Sequence, residues 1–124
     1  MKIPRLPDNI RVHPSVWRAL KEIEHYDSKK ARKIIQRIVK LGSDPIPDNI
    51  ECKSESVRNL KKMGIDIKRL KCSDILEYRI FYAYKKSGMV CIYCIVPRNE
   101  DTYKKDSWHY QIVKLLYTQW RECQ

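Results

Sequence analysis

Between Ser15 and Leu41 apolar residues return every three or four positions, first as Val16, Ala19, Leu20 and Ile23, then as Ala31, Ile34, Ile35, Ile38 and Leu41. Charged residues such as Arg18, Lys21 and Glu22 fill the gaps, so the period predicts two amphipathic helices. Tyr26-Asp27-Ser28 breaks the pattern and supplies an N-cap for the second helix. Gly42 stands where a left-handed C-terminal cap is expected. So tight a connection predicts an antiparallel helical hairpin. Ahead of it, Pro4, Pro7 and Pro14 forbid a long helix and leave room for a short strand at Ile10-Arg11-Val12. Behind it, Pro45 and Pro47 mark a loop over residues 43–50, and residues 51–64 are polar with no readable period.

The period then changes to that of strands. Ile65 to Cys72, Glu77 to Lys85 and Met89 to Val96 read as three strands, with turn chemistry at Lys86-Ser87-Gly88. Short links make them an antiparallel meander, which Pro97 is expected to end. A last helix is predicted from about Ser107. Trp108, Ile112, Leu115 and Leu116 lie on one side of it, and Tyr110, Val113, Tyr117 and Trp120 on another. The order points to one α+β domain over residues 1–124, a helical hairpin packed on a small antiparallel sheet with a C-terminal helix.

Charge narrows the function. The chain has 26 Lys and Arg against 15 Asp and Glu, a net +11 over 124 residues. Self-repulsion on that scale is offset by an anionic partner, and nucleic acid is the commonest. The most apolar run, Met89 to Val96, is far shorter than the ~20 residues of a spanning helix. The first residues lack the apolar stretch of a secretion signal, so a cytoplasmic protein with no membrane partner is expected. The five cysteines show no framework spacing, and reduced thiols follow as the expectation. Cys91-Ile92-Tyr93-Cys94 matches a metal or redox pattern, but residues three apart on a strand point to opposite faces. No second Cys or His pair sits at ligand spacing, so neither metal nor cofactor is expected.

Several segments in order resemble the RelE/ParE toxin superfamily. They are the basic Ile67-Lys68-Arg69-Leu70-Lys71, the strand Glu77-Tyr78-Arg79-Ile80-Phe81-Tyr82-Ala83-Tyr84, and Ile92 to Val96 followed by Pro97-Arg98-Asn99-Glu100-Asp101-Thr102-Tyr103. The preceding helical hairpin agrees, and the likeness spans roughly residues 15–110. The Ser73–Glu77 link is longer than the family's turn, and residues 43–64 are also long for it.

The resemblance implies the toxin of a type II toxin–antitoxin system: a metal-independent endoribonuclease that cuts messenger RNA on the ribosome and so inhibits translation. Its partner would be an acidic antitoxin. RNA carries its own nucleophile, so the protein need only align the 2′-hydroxyl, take its proton and neutralise the phosphate. By resemblance, Arg79 and Arg98 grip phosphate, Lys71 and Tyr103 join them, and His109, next to Tyr110, acts as acid or base. Lys68, Arg69, Lys61 and Lys62 would bind RNA. Structural alternatives stand beside these roles: Arg79 could pair with Glu77 or Asp101, and Tyr78, Tyr82 and Tyr84 suit packing better than base stacking. His13 and His25 read as surface residues without partners. Lys29 to Lys33 reads as a solvated helix face. Two other functions fit the same fold, a ParE-like inhibitor of DNA gyrase and a non-catalytic RNA-binding module.

Overall fold

The computed structural model describes residues 4–98 and 108–124. The chain runs β1 (Ile10–Val12), α1 (Pro14–Tyr26), α2 (Ser28–Lys40), β2 (Cys52–Ser56), α3 (Arg58–Lys61), β3 (Lys68–Cys72), β4 (Tyr78–Tyr84), β5 (Val90–Pro97) and α4 (Trp108–Gln119). The fold is α+β, and the five strands form one sheet in the order β1-β5-β4-β3-β2.

That sheet is mixed where an all-antiparallel one was expected. Strands β2 to β5 pair antiparallel, but β1 adds a parallel edge beside β5, with Ile10 opposite Val90 and Val12 opposite Ile92. At the other edge, β2 arises from the stretch that had no readable period. The ladder also runs past Pro97: Arg98 N–H donates to Glu77 O at 2.7 Å. Pro97 faces Tyr78 between ladder bonds, where its missing N–H costs the β4 pairing nothing.

The helical hairpin forms as its period predicts. Val16, Leu20 and Ile23 from α1 join Ala31, Ile34, Ile35 and Ile38 from α2 in one buried cluster with Leu70, Ile80, Tyr82 and Ile92 of the sheet. Asp27 caps α2 through its carboxylate, which accepts from Lys30 N–H at 3.1 Å. Gly42 differs from expectation. Among the described residues the positive-φ positions are Gly64 and Gly88, and Leu41 caps α2 in the right-handed region. Gly42 serves close approach instead: a Cβ there would lie 3.0 Å from Pro7 and 3.1 Å from Asn9 Oδ1. Asn9 uses the same closeness to donate to Gly42 O at 2.9 Å.

The long link after β3 is a short 3₁₀ turn, Ser73–Ile75, anchored from the hairpin. Arg37 Nε donates to both Asp74 oxygens at 3.0 and 3.2 Å, while Lys30 Nζ meets Asp74 O at 3.0 Å and Glu77 at 2.7 Å. Lys30 is therefore tied in, unlike the exposed Lys29, Arg32 and Lys33 of the same run.

The opposite face of the sheet is covered by α4. Tyr110 and Val113 are buried there with Phe81, Ala83, Cys91, Tyr93, Cys94 and Val96, and Leu116, Tyr117 and Trp120 pack against them. Ile112 and Leu115 of α4 stay exposed. No helix among the described residues is long and apolar enough to cross a membrane.

The cysteines overturn the thiol expectation. Cys52 bonds Cys72, its direct cross-strand partner at a Cα distance of 4.2 Å, and Cys91 bonds Cys123 at 6.1 Å. Only Cys94 is free; it is buried, and burial pushes its thiol up to about 12. The alternation argument for Cys91 and Cys94 also fails. A bulge sets Phe81 opposite Cys94 and Tyr82 opposite Ile92, so the extra residue turns Cys91 and Cys94 to the same face.

Candidate RNA-binding cleft

Strand pleating decides which charges meet. On β3, Lys68 and Leu70 point to the hairpin side, and Arg69 and Lys71 point to the α4 side. Arg69 lies opposite Phe81 on β4 and opposite Glu55 on β2, and Lys71 lies opposite Lys53. Because α4 covers mainly β4 and β5, the β2–β3 end of this face is left for charged groups.

The cleft there is lined by Glu55, Arg58, Lys61, Arg69 and Tyr110. Arg69 Nη1 donates to the Tyr110 hydroxyl at 3.2 Å, and Nη2 to Glu55 Oε2 at 3.4 Å. One guanidinium thus joins a carboxylate from β2 to a phenol from α4. Of the groups lining the cleft the sequence singled out Lys61 and Arg69, and it gave Glu55 no role because β2 was not legible as a strand. Its signal lay in the alternation Lys53–Glu55, which puts a carboxylate beside cations on one side of the chain.

Arg79 occupies the same face between Tyr78 and Ile80, opposite Val96. It is 1% exposed, and Nη1 donates to Leu76 O at 2.8 Å and Tyr78 O at 3.0 Å. A phosphate would therefore reach its guanidinium only after covering groups move. Arg98 is exposed and sits two residues beyond Val96, across from Glu77. This register puts the Cα atoms of Arg79 and Arg98 on diagonal neighbours, about 7–8 Å apart in a regular pair.

The remaining candidates divide. Lys68 lies away from the cleft, with Nζ 2.9 Å from Ser56 Oγ and 3.1 Å from Asp66. Lys61 lines the cleft, whereas Lys62, the exposed C-cap of α3, is not among its lining groups. Tyr103 and the His109 side chain lie outside the described residues. Tyr78, Tyr82 and Tyr84 of β4 all face the hairpin side, away from these cations, whereas Tyr93 of β5 is buried under α4. Tyr82, across the sheet, donates to Pro45 O at 2.6 Å and meets Ser54 Oγ at 2.6 Å. Burial pushes its hydroxyl up to about 12, with the Ser54 bond pulling the other way.

His13 has partners after all. Its Nδ1 accepts from Ser15 N–H at 3.2 Å, capping α1, and its ring meets the Trp120 ring edge-on at 5.2 Å. His25 is exposed, with an edge contact to Tyr26. Among the described residues no group of three or more His, Cys, Asp or Glu could hold a metal.

Neither a protein-family model, nor a curated protein, nor a solved structure matches this chain.

Proposed function

We propose that this chain is a RelE-like toxin of a type II toxin–antitoxin pair, an endoribonuclease that cuts ribosome-bound messenger RNA without a metal ion in the cytoplasm. The observation that carries the reading is the Glu55–Arg69–Tyr110 cleft on the cationic face of the sheet. Glu55 takes the proton of the 2′-hydroxyl, and the 2′-oxygen attacks the adjacent phosphorus. The bond from phosphorus to the 5′-oxygen breaks, leaving a 2′,3′-cyclic phosphate and a 5′-hydroxyl. His109, assigned from sequence, returns a proton to the leaving oxygen.

Arg69 holds the phosphate in its planar fork, and Tyr110 keeps that fork aimed. Arg98 and Lys71 add positive charge at the rim, and Tyr103 keeps its family role as the aromatic beyond Arg98. The buried Arg79 raises the potential of the whole face, since its charge is poorly screened. The basic surface is matched by an acidic antitoxin that covers it. A second reading, RNA binding without cleavage, is favoured by one observation, the enclosure of Arg79.

Mapping messenger-RNA ends in a translating extract tests the choice. The wild-type chain should cut at codon-related positions. Arg69→Ala should lower the cleavage rate about 10²-fold or more, as loss of a transition-state charge partner does. Glu55→Gln should slow cutting, since an amide cannot take the proton of the 2′-hydroxyl. An Arg79→Ala/Arg98→Ala pair should also lose the cuts. Intact RNA with the wild-type chain would sink the nuclease reading, and trapped gyrase–DNA breaks would replace it.

A further inference from the structure

We propose that Lys53, Lys71, Ile50 and Leu76 form a nucleotide subsite, holding the next phosphate and an unpaired base of the RNA whose backbone enters the Glu55–Arg69 cleft. This rests on the reading just given and names how the substrate continues past the cut.

The β2–β3 register sets Lys53 directly opposite Lys71. Like charges facing each other across a strand pair destabilise it, and a bound anion reverses the sign. Both side chains are exposed, and among the described residues neither has an ion pair. The acidic neighbour Glu51 is drawn instead toward Arg37, 3.8 Å away.

Apolar surface adjoins the cation pair. Ile50 is 99% exposed and Leu76 45% exposed, and both line one groove with Lys53 and Lys71. A ligand that suits two ammonium groups beside bare aliphatic surface carries charge and a flat apolar face together. A nucleotide does so. In a duplex the base faces are stacked away, so the ligand is single-stranded.

Spacing gives the third argument. Lys53–Lys71 is two residues along the strands from Glu55–Arg69. Two strand residues advance about 6.6 Å, comparable to the step between successive phosphates of an extended nucleic-acid strand. One phosphate in the cleft therefore places the next between the two lysines.

The test is binding by fluorescence anisotropy, using a labelled single-stranded hexanucleotide with 2′-methoxy groups so that it resists cutting. The controls are its abasic counterpart, the matching duplex and an acidic peptide. Wild type should bind the base-bearing single strand about tenfold more tightly than the abasic one. The Ile50→Ser/Leu76→Ser pair, at exposed positions, should erase that preference and leave abasic affinity unchanged. Lys53→Ala should weaken both single strands severalfold and reduce the salt slope by roughly 0.7, the value for one phosphate on a single strand.

Equal affinity for the abasic strand, variants that bind like wild type, or stronger Lys53-dependent binding of the duplex or the peptide would each overturn the subsite. Retained base preference with no cutting of messenger RNA supports the subsite and removes only the nuclease. Cutting by a wild type whose Lys53 and Leu76 variants bind unchanged does the reverse.

Discussion

The hairpin side of the sheet buries Val16, Leu20, Ile34 and Ile38 on Leu70, Ile80 and Ile92, and even its Tyr82 hydroxyl is satisfied by Ser54 and Pro45. The α4 side buries Phe81, Tyr93 and Val96 under Tyr110 and Val113, but at β2–β3 it shows Lys53, Glu55, Arg69 and Lys71. Apolar burial is the dominant stabilising term, so the first face specifies the fold. The second gives up part of that burial to collect charge, and a surface of this kind is explained by what it binds.

The largest expected effect breaks the covered face. Ile38 is 1% exposed, and Ile38→Ala should cost about 2–5 kcal/mol in urea unfolding, through lost transfer energy and a residual cavity. RNA affinity per folded molecule should stay at the wild-type level. A cost under about 1 kcal/mol would show that the hairpin side is not what holds the molecule together.

The disulfides sharpen the comparison next, because each secures a part of the open face. Cys52–Cys72 pins β2, the strand of Glu55, to β3, and Cys91–Cys123 ties the segment after α4 to β5. Replacing Cys52 and Cys72 by Ala should lower stability by about 2–4 kcal/mol, read as the urea midpoint without reductant. Ribosomes work where thiols are kept reduced, so the proposed activity also requires messenger-RNA cutting to persist in dithiothreitol. Activity confined to the oxidised chain would move the protein to another compartment and the substrate with it.

The smallest effect is at His13, where α1 meets the α4 end. Burial, then the nearby Arg18, holds its imidazole below the ordinary value, with Glu122 opposing. The folded state therefore takes up its proton less readily than the unfolded chain. Stability from this residue is complete above about pH 6.5 and falls as pH drops from there through the lowered folded value. His13→Asn keeps a capping acceptor and should flatten that acid-side loss in thermal melts between pH 7 and 5.

The hairpin was legible because aliphatic residues at helical spacing have few other ways to hide. The sheet was legible in β3 to β5 for the same reason, at period two. Strand β2 was hidden because Cys52, Ser54 and Ser56 face inward in place of large apolar groups, two of them spent on a disulfide and on the Tyr82 hydroxyl. The inward-facing signal was covalent and polar, and hydrophobic periodicity cannot register either. Without β2 the basic run could be placed on β3 but Glu55 could not be set against Arg69. The facing of Cys91 and Cys94 was misjudged for a related reason: the one extra residue at Tyr93 leaves composition untouched and reverses every facing beyond it.

Strand β1 has three residues, yet it lies along Val90, Cys91 and Ile92 of the most apolar strand in the chain. The uncharged β5 sequence Val-Cys-Ile-Tyr-Cys-Ile-Val would otherwise offer a bare ladder to any other chain, the pattern from which cross-β stacking grows. The slender N-terminal segment, latched by Asn9 to Gly42 and Gly88, thus covers the Val90–Ile92 part of that ladder. A protease that trimmed it would both strip Ile10 from the core and bare that edge of β5 to pairing with another chain.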